Sequence, residues 1–81
     1  MSIDPDTVSA EFVKLLSKIA EVPEEKIHAH SSLKGDLDVD SLAIVELFDV
    51  TEAQWGVKIP DEDAQALATV GEIVDYLRRR V

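Results

Sequence analysis

Three features of this sequence predict an all-α fold. The expected form is a small four-helix bundle: three main helices, one short helix, and a long loop after the first. Apolar residues recur at helical spacing in three separate stretches. The ends of those stretches carry helix start and stop signals. No stretch shows the alternation of a half-buried strand.

Asp4-Pro5 opens the first helix, with Asp as N-cap and Pro at the first helical position. Val8, Phe12, Leu15, Leu16 and Ile19 then share one face. Val13 falls off that stripe and is expected at the surface. Val22-Pro23 closes the helix, because a residue before proline resists helical dihedrals. Pro23 to Lys26 suits one short turn. From Ile27 to Asp40 no period is sustained. Ile27, Leu33 and Leu37 are spaced to pin this loop onto the core. Gly35 reads as a flexible or left-handed position. A loop this long in so small a domain is unusual, and usually functional.

The second helix runs from about Ser41 to Trp55. Ile44, Leu47, Phe48, Thr51 and Trp55 form its core stripe. Leu42, Val45, Glu46, Asp49, Glu52 and Ala53 lie opposite. Two aliphatic side chains rimmed by acids suggest a protein-docking surface, although single exposed apolar residues are ordinary. Gly56 takes the C′ position. Val57-Lys58-Ile59-Pro60 is an extended connection. Asp61-Glu62-Asp63 begins a short third helix, where the dipole favours acids. Thr69-Val70-Gly71-Glu72 fits a capping box for the last helix. Val70, Ile73, Val74, Leu77 and Val81 are its stripe, and Arg78, Arg79 and Arg80 suit its C-terminal end.

The chain of 81 residues is expected to form one domain, residues 1–81. It has no cysteine, which excludes a disulfide, a thiolate nucleophile and a cysteine-ligated metal. No apolar run is long enough to span a membrane, and the N-terminus lacks a signal-peptide pattern. The expected place is the cytoplasm. The net charge is −9, and between Asp36 and Asp63 nine acids face one base, Lys58. Such a field repels nucleic acid and anionic lipid and speeds encounter with basic protein surfaces. It also serves plain solubility.

Ser41 sits where the loop becomes helix, so its hydroxyl is expected at an exposed corner. As a hydrolase nucleophile it would need a base, and the available histidines are His28 and His30, in the long loop. There is no Gly-x-Ser-x-Gly elbow. The two histidines read as solvated loop residues. Asp36, Asp38 and Asp40 occupy positions 1, 3 and 5 of an EF-hand-like loop, but Ser41 and Leu47 stand where Gly and Glu belong. No metal site is expected. Ser41 could also serve only as a helix cap, since Ser and Asp are both favoured there. The remaining role is as a target of modification, because a helix start stabilises a phosphate through free amide groups.

Three blocks in order resemble the acyl carrier proteins of fatty-acid and polyketide synthesis. They are Asp40-Ser41-Leu42 followed by Glu46-Leu47, then Trp55-Gly56 before Ile59-Pro60-Asp61, then Thr69-Val70 with Tyr76-Leu77. The resemblance covers nearly the whole chain. It implies a non-catalytic, monomeric carrier with 4′-phosphopantetheine attached to Ser41 by a phosphopantetheinyl transferase, from coenzyme A. Acyl intermediates would ride on it as thioesters to basic surfaces of ketosynthase, acyltransferase and reductase enzymes. It marks Asp40 and Leu42 beside the attachment point, and Val45, Glu46, Asp49 and Glu52 as partner contacts. Phe48, Ile59 and Leu67 would line a cavity for the acyl chain. Asp38, Ala43, Asp49 and Ala53 depart from the fatty-acid pattern, the first of them standing where glycine is usual. A carrier of another pathway, aminoacyl or specialised, is the alternative. Outside the family the alternative is a helical interaction domain with Ser41 as a mere cap.

Overall fold

The computed structural model describes residues 5–80, without the side chains of residues 5 and 6. Four helices follow one another: α1 Pro5–Ala20, α2 Ser41–Trp55, α3 Asp61–Ala66 and α4 Val70–Arg80. A single 3-10 turn, Glu24–Lys26, follows α1. Among the described residues no strand forms, and one antiparallel bridge links Ser32 to Thr69. The helical bundle expected from periodicity is therefore the one observed. Its Cα radius of gyration is 11.6 Å.

Pro5 is the first residue of α1, as its fixed φ suits, while the proposed cap Asp4 lies outside the described residues. The helix ends on a left-handed residue, Glu21, at φ 57°. The Val22 N–H then reaches back to the Ser17 carbonyl at 3.2 Å, and the Ser17 hydroxyl donates to the Val22 carbonyl. This is a Schellman-type stop made without glycine. The stop therefore comes two residues before Pro23.

Val8, Phe12 and Leu16 are buried against Leu47 of α2 and Ile73 and Leu77 of α4 in one continuous core. Phe12 meets Trp55 with ring centres 6.4 Å apart, which ties α1 to the end of α2. Val13, expected at the surface, is half-buried and packs on the core. The described stripe of α4 is buried from Val70 to Leu77, while Val81 lies outside the described residues.

The long loop is held on both sides. Ile27, Leu33 and Leu37 are buried as their spacing suggested, and so is Val39, which no period marked. Its backbone bonds to the start of α4. Leu33 N–H donates to the Ala68 carbonyl, Val70 N–H to Ser31 and Gly71 N–H to Ala29, at 2.8 to 3.1 Å. The last approach is close. A Cβ on Gly71 would lie 2.9 Å from the Ala29 carbonyl oxygen.

Gly35 does not adopt a left-handed conformation. A Cβ there would lie 2.6 Å from the Ser32 hydroxyl, which would have to turn aside. That hydroxyl accepts the Asp36 N–H while the Asp36 carboxylate accepts the Ser32 N–H, both at 2.9 Å. The left-handed residue of the loop is Asp38, at φ 53°. The position where the family pattern favours glycine therefore has the dihedral that glycine adopts freely, and aspartate tolerates it. Gly56 ends α2 at φ 65°, in the C′ role read from its place in the chain.

Candidate functional site

The site is the beginning of α2. Asp40 stands at the N-cap position, at φ −64° and ψ 149°, and its side chain makes no capping hydrogen bond. The first helical bond runs from the Ile44 N–H to the Asp40 carbonyl at 2.9 Å. The amides of Ser41, Leu42 and Ala43 precede that bond, so the helix supplies them no acceptor. Ser41 is the first helical residue, not the cap, and it is exposed. The reading of Ser41 as a mere helix cap is corrected by this placement. Buried Leu37 and Val39 fix the loop just before it.

From this corner, α2 presents Leu42, 78% exposed, and Val45, 58% exposed. Glu46 and Asp49 are exposed beside them. Val50, which the helical wheel did not single out, is a third exposed aliphatic. Glu52 differs from these. It is half-buried, and its carboxylate accepts the Ile59 N–H at 2.7 Å. That bond fastens the extended segment after α2 back onto the helix. The i, i+7 separation conceals it from a wheel of α2 alone.

A groove of about 490 Å³ opens between α2, α3 and the loop. Phe48, Ile59 and Leu67 line it together, with Ile44 and Val45 on the α2 side. Ile44 and Phe48 are only half-buried because their stripe faces this groove. Lys34, Asp49 and Asp61 supply charges to its lining. The groove is thus apolar along its length with charged groups around it.

His28 and His30 stack 5.5 Å apart and are exposed. His28 lines a separate groove of about 250 Å³ with residues of α1 and α4, and Ser41 is not part of it. The Asp36 carboxylate is spent on the Ser32 amide rather than turned toward a shared centre with Asp38 and Asp40. Among the described residues no group of three or more metal-ligating side chains converges.

An exposed hydroxyl on a helix start with free amides fits a phosphodiester: the oxygen is accessible, and the donors and dipole oppose the anion's charge. The adjacent apolar groove fits an alkyl chain. The arrangement joins an exposed hydroxyl at an uncapped helix start, an exposed aliphatic and acidic helix face, and an adjacent apolar groove.

Comparison with known proteins identifies the class. Residues 10–77 match the family model described as the phosphopantetheine attachment site. The acyl carrier protein of Acidothermus cellulolyticus is 34% identical over 77 residues, covering 95% of this chain and 92% of that protein. The acyl carrier protein of Rhodococcus erythropolis is 35% identical, covering 98% and 87%. The meromycolate extension acyl carrier protein of Mycobacterium leprae is 35% identical, covering 98% and 69%. This chain belongs to the acyl carrier protein family. It is therefore not an enzyme. It carries acyl groups on 4′-phosphopantetheine in synthesis of the fatty-acid or polyketide type. Members of the family are modified by a phosphopantetheinyl transferase and serve synthase enzymes. Among the described residues no helix is long and apolar enough to cross a membrane.

Proposed function

We propose that Ser41 is the attachment residue. The observation that carries this is its position: an exposed hydroxyl on the first residue of a helix whose opening amides have no side-chain cap. The serine oxygen takes the phosphopantetheinyl half of coenzyme A, and the nucleotide half leaves. The first-turn amides steady the phosphodiester, and Asp40 and Leu42 flank it. The arm supplies a terminal thiol on which acyl groups are held as thioesters.

The exposed Leu42, Val45, Glu46 and Asp49 form the surface that partners read, with basic patches of ketosynthase, acyltransferase and reductase enzymes opposite the acids. Glu52 adds to the local field while bonded to Ile59. The groove lined by Phe48, Ile59 and Leu67 takes the acyl chain. The protein works as a monomeric single domain in the cytoplasm.

Intact mass after incubation with coenzyme A and a broad-specificity phosphopantetheinyl transferase tests the assignment. The wild type gains one phosphopantetheinyl group, and Ser41→Ala gains none while keeping its helical circular dichroism. Modification of the Ser41→Ala variant would place the arm on another residue.

A further inference from the structure

His28 and His30 belong neither to the Ser41 corner nor to the lining of the large groove. The loop that carries them is nonetheless fixed residue by residue. Ser31 is buried, and its Oγ accepts the His28 N–H while its own N–H donates to the His28 carbonyl, both at 3.0 Å. Between the two histidines, the Ala29 carbonyl accepts the Gly71 N–H at 2.8 Å. Just beyond them, the Ser31 carbonyl accepts the Val70 N–H at 3.0 Å. The backbone of the pair is thus pinned to the start of α4, while both side chains stay exposed.

The two rings lie within 6° of parallel, with centres 5.5 Å apart. Zinc binds imidazole nitrogens tetrahedrally at about 2.0–2.1 Å, which sets the ring centres of two imidazoles on one ion about 5 Å apart. A ring centre lies close to its own Cβ–Cγ axis. Turning a ring about that bond redirects its nitrogens and nearly preserves the separation. The observed spacing is therefore that of a two-imidazole chelate, reached by turning the rings on a backbone already in place. Among the described residues no third ligating side chain completes the group. Asp75, which lines the small groove with His28, pairs with Arg78 instead. Water fills the remaining positions, as in open zinc sites.

We propose that His28 and His30 chelate one divalent transition-metal ion of the zinc type. Imidazole favours zinc, copper and nickel, whereas magnesium and calcium favour oxygen ligands. The i, i+2 spacing alone reads as two solvated residues. The pinned Ala29 between them and the ring separation are what the fold adds. A bound ion joins the residues on either side of Ala29 and so tightens the loop onto Gly71. The site is independent of the Ser41 assignment.

Zinc chloride is the probe, added to the full-length, tag-free chain with any arm thiol alkylated so that no thiolate competes. Magnesium is kept in excess throughout to cover the carboxylates. Calorimetry should then give one zinc ion per chain, and the carbon-bound ring protons of His28 and His30 should shift together. Amide exchange at Gly71 should slow. His28→Ala and His30→Ala should each weaken binding about tenfold or more, because each removes the second, intramolecular ligand. Both histidines are exposed, so both variants should keep the wild-type circular dichroism. Zinc affinity unchanged in both variants would place the ion on other residues and overturn the proposal. Weakening in one variant alone means a single-histidine ligand and overturns the chelate. No binding at millimolar zinc overturns it outright. Unchanged Gly71 exchange in the zinc-saturated wild type overturns the tightening of the loop alone.

Discussion

Two helices of this molecule begin in opposite ways. At the start of α4 the donors are spent. Thr69 Oγ1 accepts the Glu72 N–H at 3.2 Å, and Glu72 Oε1 accepts the N–H groups of Ala68 and Thr69, both at 3.0 Å. The Val70 and Gly71 amides go to carbonyls of the long loop. At the start of α2, Asp40 is in cap position and caps nothing with its side chain. Both ends carry residues that sequence rules favour at an N-cap. One completes the fold internally, and the other leaves its amides for something external. A helix start is thus a structural joint or a binding end according to whether its donors have partners within the chain.

The contrast can be broken at several points. The open end relies on the packing behind it, where Leu47 is wholly buried. Leu47→Ala should cost about 2–5 kcal/mol, seen as a lower midpoint in urea unfolding. A loss below 1 kcal/mol would mean that the core behind the site is loose. The closed end relies on the contact of Gly71 with Ala29. A Cβ there forces the loop away, and Gly71→Ala should cost about 1–3 kcal/mol, with amide exchange rising at position 71 itself.

The sharpest comparison pairs the two cap positions. Thr69→Ala should cost about 1 kcal/mol, whereas Asp40→Ala should stay within about 0.5 kcal/mol. Equal losses in thermal melts of the two variants would remove the distinction between the ends. The smallest effect is one of pH. Bonds from the Ala68 and Thr69 amides, and the Thr69 hydroxyl, hold the Glu72 carboxyl below the ordinary glutamate range against slight desolvation. A lowered folded value means stability that is present at neutral pH and fades as pH falls through that range. Glu72→Gln should therefore be less stable than the wild type at pH 7, with the difference closing in acid. A gap that widens in acid would reverse the assignment.

Local chemistry made much of this legible. Asp40-Ser41 and Trp55-Gly56 bracket α2, and the capping box of α4 reads from Thr69 and Glu72 alone, because caps are made by neighbours in sequence. Pairs made by the fold were not legible. Tyr76 and Asp63 are 13 residues apart, and nothing in either helix announces the other. Val39 is buried in a stretch without period, so no wheel could mark it. Gly35 is a local case of a different kind: it faces the Ser32 hydroxyl three residues back rather than taking a special dihedral. For the candidate site, the exposure of Ser41 followed from its corner position. The division of labour on α2 did not, since Glu52 is claimed by Ile59 and Glu46 is not.

The bonds from Ala29, Ser31 and Leu33 to Gly71, Val70 and Ala68 also bear on time. A chain emerging from a ribosome presents Ser41 well before it presents Val70. Until the later residue arrives, the segment before the serine lacks these bonds, and closing them spends the entropy of a loop of some forty residues. Local helices form in about a microsecond, while contacts between distant positions come later. The serine is therefore chemically complete early and geometrically placed late.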